Sequence, residues 1–267
     1  MKKEKDPKTK RVCYKKSIRF ASINIDCGKK NRNPHNLIDE IQTIIERNDM
    51  DVVNICESDF SSVEDANDFH IPNFQTILPL VNEKAQQKVR NIMLIRKSLE
   101  HFSSVKTKFM SAEFPSIWIE LAMPKTRKIM LSGMYREWSN SESGKSIEDQ
   151  RARFNIYTDQ VVDVRRTHPQ SLVCIGADWN LNLEKFKNAD WYLKSIAQDL
   201  CLMCEQTEME IIDLGHTFIL PCGDKDTKMS KLDYFTFFTH AFSVKSLHDW
   251  LKLPAVASFS AHLSTQL

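Results

Sequence analysis

The sequence has few residues that break regular structure and no long apolar run. Only 6 of its 267 residues are glycine and 9 are proline, which excludes collagen-like and low-complexity proteins. No apolar run approaches the roughly 18–20 residues needed to cross a bilayer, and the polar first sixteen residues do not resemble a signal peptide or an anchor. We therefore expect no membrane partner. With 42% hydrophobic and 27% charged residues, the chain is typical of a globular protein with a sizeable core.

The cysteines do not form an obvious disulfide or metal framework. There are seven, an odd number, and Cys56 and Cys174 lie inside apolar runs, where a reduced thiol behaves as a small hydrophobe. Cys201 and Cys204 form a C-x-x-C motif, but no second pair follows at zinc-finger spacing, so helical packing is favoured over a structural metal. These features indicate a reducing, intracellular compartment.

Positive charge is concentrated at the start of the chain. Residues 1–16 hold seven Lys and one Arg against Glu4 and Asp6, a net charge of +6, so the remainder of this +2 chain carries about −4. Such a tail either binds nucleic acid or acts as a nuclear address, or it is simply a solvated segment. We expect residues 1–16 to be a disordered basic tail of a nuclear protein, followed by a single domain over residues 17–267.

Short apolar runs alternate with helical stripes along this domain, which predicts an α/β fold with two packed sheets and helices outside them. Residues 58–88 are polar and are predicted to be irregular. The predicted strands are Ile18–Asp26, Asp51–Glu57, Arg90–Arg96, Ser116–Leu121, Arg127–Met134, Leu172–Ile175, Glu210–Leu214 and Lys231–Phe238, and the predicted helices are Asn36–Asn48, Ser146–Thr167 and Asp190–Glu205.

The strand Leu172–Ile175 ends at Gly176 and is followed by Asp178 and Asn180. In an extended segment, residues two apart point to the same side, so this carboxylate and amide would face one spot. Such a pair suits a site where Asp178 orients or deprotonates a water molecule and Asn180 donates to a developing negative charge. The alternative interpretation is a polar turn.

Polar side chains also end the other predicted strands. Asn24, Asp26 and Glu57 offer hard oxygen ligands, and a sparse set of this kind suits Mg²⁺ that is bound partly through water and phosphate. Such a metal would stabilise the charge of a reacting phosphate.

Three further polar residues complete this candidate site. Tyr135 could hydrogen-bond the phosphate, and Asp233 could orient His262 and favour its protonated form. Together with the metal ligands, these residues suit metal-assisted hydrolysis of a phosphodiester. Taken singly, each has the alternative of a capping or core-edge polar group.

Five segments, in order, resemble motifs of the endonuclease/exonuclease/phosphatase superfamily, which includes relatives of deoxyribonuclease I and of apurinic/apyrimidinic endonucleases. The resemblance extends from Ser17 to His262. A further segment resembles the Y-R-E-W sequence of endonuclease domains from animal non-LTR retrotransposons. The five segments are Ser22–Asp26, Cys56–Glu57, Gly176–Asn180, Ser230–Phe235 and Ser260–His262, and the Y-R-E-W-like segment is Met134–Trp138.

The resemblance implies a DNase I-like four-layer α-β-β-α sandwich of two mixed sheets flanked by helices. It also implies a DNA nickase that depends on Mg²⁺, with Mn²⁺ as the alternative, and a reverse transcriptase domain downstream in a full-length element. The superfamily's terminal S-D-H motif is Ser260-Ala261-His262 here. Loss of a carboxylate beside metal and phosphate can cost orders of magnitude in rate, so reduced activity is expected.

Two other functions fit the same fold. One is a phosphatase or sphingomyelinase-like enzyme that acts on small phosphoesters. The other is a catalytically inactive nucleic-acid-binding remnant that kept the scaffold and its phosphate contacts. If the protein binds nucleic acid, as a nickase or as such a remnant, Trp138 or Trp179 could stack on a base. The alternative for both residues is packing in the core.

Overall fold

A computed structural model gives the fold. It describes the backbone of residues 17–25, 34–82, 87–137, 146–188, 191–213, 218–222, 226–230, 233–238, 242–246 and 256–262, and side chains within residues 18–211. The predicted basic tail, residues 1–16, lies outside the described residues, as do Asp26 and Trp138.

The described elements follow one another in an alternating order. The strands are Ser17–Asn24 (β1), Val52–Phe60 (β2), Phe74–Ile77 (β3), Val89–Arg96 (β4), Ser103–Val105 (β5), Ser116–Leu121 (β6), Ile129–Tyr135 (β7), Leu172–Asp178 (β8), Met209–Asp213 (β9), Phe218–Cys222 (β10), Asp226–Ser230 (β11), Asp233–Phe238 (β12), Phe242–Ser246 (β13) and Val256–His262 (β14). The helices are Pro34–Arg47 (α1), Val63–Asp68 (α2), Ile147–Thr167 (α3) and Lys194–Thr207 (α4), with 3-10 helices at Lys97–Phe102, Thr107–Phe109 and Leu183–Lys187.

Within the described residues, the strands form two six-stranded sheets and a β10–β11 ribbon. The first sheet has the order β13-β14-β1-β2-β4-β3, and the second has the order β5-β6-β7-β8-β12-β9. Both sheets are mixed, and each contains one parallel pair: β1 with β2 and β7 with β8. Parallel strands end at the same edge of their sheet, so the polar residues that follow these four strands are brought together in two pairs.

Three clusters of buried side chains define four layers. Phe20 and Leu131 belong to the cluster between the two sheets. The outer face of the first sheet packs on α1 and α2 through a cluster that includes Ile45, and the outer face of the second packs on α3 and α4 through Tyr157 and Leu200. The predicted α-β-β-α arrangement is therefore confirmed.

Helix α3 begins where the sequence predicts, because the Ser146 hydroxyl accepts a hydrogen bond of 3.0 Å from the backbone N–H of Asp149. Helix α4 begins at Lys194 rather than near residue 190. It carries both residues of the C-x-x-C motif. Cys204 packs in the core beside α3, whereas Cys201 is partly exposed.

The prediction that residues 58–88 are irregular is wrong, because they contain α2 and β3. These elements are too short to show a clear period in the sequence. They are held instead by burial of Phe69 and Phe74 against the first sheet and by the Ser62 cap of α2. Within the described residues, no helix is long and apolar enough to cross a membrane.

Candidate active site

Four strand ends meet at one edge of the sandwich through two hydrogen bonds that cross between the sheets. The Asn24 amide nitrogen at the end of β1 donates to the Asp178 Oδ2 atom at the end of β8, at 2.7 Å. The Tyr135 hydroxyl at the end of β7 donates to the Glu57 Oε1 atom of β2, at 3.0 Å. These bonds form one cluster of two carboxylates, an amide and a phenol. The sequence predicted that these four side chains lie together.

Glu57 lies in an irregularity of β2 that sets its direction. The register between β2 and β4 shifts between Cys56 and Phe60. Within this bulge, Glu57 has a φ of 54° and Asp59 a φ of 53°, both in the left-handed region. For residues other than glycine this conformation costs on the order of 1 kcal/mol and occurs preferentially at functional sites. The bulge leaves Glu57 partly exposed next to a buried strand.

Tyr135 is held as a neutral hydrogen-bond donor. Its side chain is buried, and burial, together with the charges of Glu57 and Asp178, raises the pKa of Tyr135 far above its usual range. The phenol therefore keeps its proton at neutral pH and can donate a hydrogen bond to Glu57 or to a bound anion.

The segment after β8 is not the extended strand that the sequence predicts. The strand ends at Asp178, and Asn180 has a φ of 48°. The chain turns because the backbone N–H of Asn180 donates to the Asp178 Oδ1 atom, at 3.0 Å. The Asn180 amide nitrogen donates to the Arg136 carbonyl oxygen, at 2.7 Å. This segment is therefore a polar turn that also fixes the Asp178 carboxylate.

Arg136 holds this turn from the other side, a role that the sequence did not reveal. Its guanidinium donates to the carbonyl oxygens of Trp179 and Asn180, both at 2.6 Å, and its backbone N–H donates to the Asp178 carbonyl at 3.0 Å. Burial lowers the pKa of Arg136 to about 10, so it remains charged at neutral pH. The available signal was a charged residue directly after the apolar strand β7.

A layer of polar side chains lies beneath the site, between the two sheets. From the first sheet, Asn54 donates to the Gly176 carbonyl at 3.1 Å and Asn91 donates to the Gly133 carbonyl at 3.2 Å. The thiol of Cys56 donates to the Met134 carbonyl at 3.4 Å. These side chains contact the two strands that end at the candidate site, so they fix how one sheet is placed on the other.

The chain matches no protein-family model and no curated protein sequence. Solved structures do match. The endonuclease domain of TRAS1, a telomere-specific non-LTR retrotransposon, is 14% identical, with 94% of this chain and 100% of that chain covered and a TM-score of 0.61. The AP endonuclease LMAP from Leishmania major is 11% identical, with 92% and 88% covered and a TM-score of 0.65. TDP2 from D. rerio, complexed with single strand DNA product, is 11% identical, with 94% and 100% covered and a TM-score of 0.56.

The chain has the DNase I-like fold of the endonuclease/exonuclease/phosphatase superfamily. The predicted fold class is thereby confirmed. Three of the superfamily-like segments, those that contain Asn24, Glu57 and Asp178, meet at one edge of the two sheets.

The two C-terminal segments of the superfamily pattern behave differently. Asp233 begins β12, where its backbone is paired directly opposite Asp178. His262 ends β14, which runs antiparallel to β1 and pairs His262 with Ser17. Because Ser17 and Asn24 are seven residues apart on β1, His262 is about 23 Å along the strand from the candidate site. This register separates the backbones of Asp233 and His262, and the predicted contact between their side chains lies outside the described side chains.

Ala261 lies with His262, opposite Ile18. The position that differs from the superfamily's S-D-H motif is therefore also distant from the cluster.

Trp179 is fully buried and packs on Phe154 and Tyr157. The predicted stacking of a base on Trp179 is therefore wrong, and the alternative, packing in the core, is correct.

The oxygen donors of the cluster fit a hard divalent cation. Among the described residues, no group of three or more His, Cys, Asp or Glu side chains could enclose a metal. Mg²⁺ does not require such a group, because it keeps several water ligands and takes one or two protein carboxylates plus substrate phosphate. The partly exposed Glu57 carboxylate and the Asn24 amide oxygen match that requirement. They do not match the nitrogen and sulfur ligands that zinc prefers.

Proposed function

We propose that this protein is a divalent-metal-dependent DNA endonuclease that nicks one strand, of the type found in non-LTR retrotransposons. The observation that carries the proposal is the pair of hydrogen bonds that join Asn24 to Asp178 and Tyr135 to Glu57 across the two sheets. They support the proposal because the strand ends that carry Glu57, a candidate cation ligand, and Asp178, a candidate base, meet across the two sheets, an arrangement that suits metal-assisted hydrolysis of a phosphodiester.

Each residue has a role in this proposal that follows from its contacts. Glu57 and the Asn24 amide oxygen would hold Mg²⁺ or Mn²⁺. When bound, the cation stabilises charge on the phosphate and on the leaving oxygen. Asp178, fixed by hydrogen bonds to both of its oxygens, accepts a proton from the attacking water as the bond from phosphorus to the leaving oxygen breaks. Tyr135 donates a hydrogen bond to a phosphate oxygen, and Asn180 holds the turn that carries Asp178.

Several observations favour DNA over a small phosphoester as the substrate. The matching structures include a retrotransposon endonuclease domain and an enzyme bound to a single strand DNA product. The Y-R-E-W-like segment and the basic residues 1–16 point the same way. In a full-length element, this domain would act beside a reverse transcriptase in the nucleus.

The test is a nicking assay on supercoiled plasmid with Mg²⁺. We expect conversion of supercoiled to open-circular DNA that stops with EDTA and with Glu57→Gln. A parallel panel of phosphate monoesters and sphingomyelin should give no turnover. Folded protein that leaves the plasmid intact, or that prefers the small esters, would contradict the proposal.

A second candidate function is a nucleic-acid-binding remnant without catalysis, which the position of His262 and Ala261 favours. It predicts metal-independent DNA binding and no nicking. Ala261→Asp separates two expectations within this test. The superfamily pattern predicts a higher nicking rate for the variant, whereas pairing of Ala261 with Ile18 predicts no change.

A further inference from the structure

A cleft opens beside Tyr135. It encloses about 180 Å³, and its walls include Arg90, Tyr135, Glu137 and Arg153, with Phe114 as an apolar wall. Arg90 belongs to β4, and its neighbours Val89 and Asn91 pair with Phe60 and Cys56 of β2. Arg90 therefore lies opposite the bulge that carries Glu57, one strand away from the proposed metal ligand.

Two arginines from different elements share one carboxylate at this cleft. The Arg90 Nε atom lies 3.4 Å from Glu137 Oε1, and the Arg153 Nη1 atom of α3 lies 3.4 Å from Glu137 Oε2. Arg153 is held in place by a hydrogen bond from its Nε atom to the Glu113 carbonyl, at 3.3 Å. The planar carboxylate thus sits between two guanidinium groups, a position that a phosphate with its larger charge can also occupy.

These ion pairs are weak enough to be exchanged. The side chains of Arg90, Arg153 and Glu137 are 36%, 37% and 34% exposed, and pairs of this kind are worth about 0–1 kcal/mol each. Lys88 and Arg90 also share Asp59, at 2.9 and 3.3 Å. Among the described residues that line the cleft, Lys88, Arg90, Arg136 and Arg153 are cations and Glu137 is an anion, so the lining carries a net positive charge.

We propose that Arg90 and Arg153 form a subsite for a non-scissile phosphate of the DNA strand, and that Glu137 occupies this subsite until DNA displaces it. The inference rests on the proposed function and extends it. A small phosphoester has only the phosphate that reacts, whereas a DNA strand carries a second phosphate next to it. The subsite would therefore favour a polynucleotide over a phosphomonoester.

The subsite makes quantitative predictions for binding of a short DNA duplex, measured by fluorescence anisotropy with Ca²⁺ in place of Mg²⁺. Arg90→Gln and Arg153→Gln should each weaken binding about tenfold and reduce the slope of log affinity against log salt by about 1. Glu137→Gln should strengthen binding, because the competing carboxylate is removed. The matched control is Arg151→Gln, also on α3, whose partner Asp199 lies away from the cleft; it should leave affinity and slope unchanged.

A second measurement identifies the phosphate. One linkage at a time beside the nick site is replaced by an uncharged methylphosphonate. At the linkage that occupies the subsite, the methylphosphonate should weaken binding to wild type by as much as Arg153→Gln weakens binding of unmodified DNA. The same replacement should not weaken binding to the Arg153→Gln variant any further.

The outcomes separate this inference from the proposed function. If wild type nicks plasmid but Arg90→Gln and Arg153→Gln bind DNA with the same affinity and salt slope as Arg151→Gln, the subsite is wrong and the nickase stands. If wild type binds DNA with the predicted dependence but never nicks, the subsite stands and the nickase is wrong. If the folded protein binds no DNA, the subsite is overturned as well.

Discussion

Glu57 combines backbone strain with a functional contact. Its left-handed φ of 54° is unfavourable for a glutamate, yet it directs the carboxylate to the Tyr135 hydroxyl at the partly exposed end of β2. A glycine would adopt this backbone at lower cost, so packing alone does not explain the residue. The carboxylate itself explains it if it binds a cation.

Glu57→Gln should therefore abolish most activity without unfolding the protein. The neutral amide can still accept the Tyr135 hydrogen bond, but it binds a divalent cation poorly, so the nicking rate should fall at least about 100-fold. Thermal unfolding should change little. Glu40→Gln, an exposed residue on α1, is the matched control and should nick like wild type. Nicking by Glu57→Gln at the control's rate would remove Glu57 from the site.

At the scale of the element, the turn after β8 is held by the strand next to it. Arg136 and Asn180 donate to each other's backbone carbonyls, so the ends of β7 and β8 are locked together. The Asp178 carboxylate is part of the same turn through its hydrogen bond from the Asn180 N–H. Any loosening of this lock should move the carboxylate.

Arg136→Lys tests this lock. One ammonium cannot reproduce the two-pronged guanidinium contact in a buried position, so we expect a loss of about 1–3 kcal/mol in stability. The nicking rate of the folded protein should fall about tenfold or more, with little change in KM. Arg96→Lys is the control, because Arg96 similarly donates to the Met50 carbonyl but at the opposite end of its sheet. Equal effects of the two variants on the nicking rate would refute a role of Arg136 in positioning Asp178.

The contact between the sheets depends on a glycine in β7. A Cβ atom at Gly133 would lie 2.3 Å from the Asn54 Oδ1 atom and 2.8 Å from the Met93 Cε atom. Gly133→Ala should therefore destabilise the protein by about 1–3 kcal/mol in denaturant unfolding. The loss should be smaller when Asn54 is already alanine, because the closest clash is then gone. Equal losses in both backgrounds would show that Asn54 does not set the close approach.

At the scale of the whole molecule, a second ionic cluster lies far from the candidate site. Glu120 of β6 lies 2.9 Å from the Lys106 Nζ atom, 3.3 Å from the Lys128 Nζ atom and 3.7 Å from the His168 Nδ1 atom. Burial alone would raise the pKa of Glu120, but its hydrogen bonds to the two lysines outweigh burial and lower it. Burial lowers the pKa of His168, against the opposing charge of Glu120.

This cluster gives acid sensitivity that is separate from catalysis. A lowered His168 pKa means that the unfolded chain takes up a proton first as the pH falls below 6.5, so stability declines on acidification. His168→Gln should therefore lose less stability than wild type between about pH 7 and pH 5. His101→Gln, the same substitution at an exposed histidine outside this cluster, is the matched control. Urea unfolding at each pH measures the difference, and identical slopes for wild type and His168→Gln would contradict it.

The sequence by itself determined the alternation of strands and helices, the four apolar runs that become the central strands β1, β2, β7 and β8, and the order of the superfamily-like segments. These features are local, because apolar periodicity and a polar residue at a strand end are written within a few neighbouring positions. Asn24, Glu57, Tyr135 and Asp178 are therefore among the eight polar residues near strand ends that local patterns select.

Only the tertiary structure decided how these residues are held and which of them meet. The hydrogen bond between Asn24 and Asp178 joins residues 154 positions apart, and no local pattern encodes such a contact. The same is true of the Arg136 lock, of the left-handed turn at Asn180 and of the register that pairs His262 with Ser17. In each case, buried hydrogen-bonding groups had to find partners and strands had to pair over long separations. These requirements outweighed the local conformational preference of the sequence.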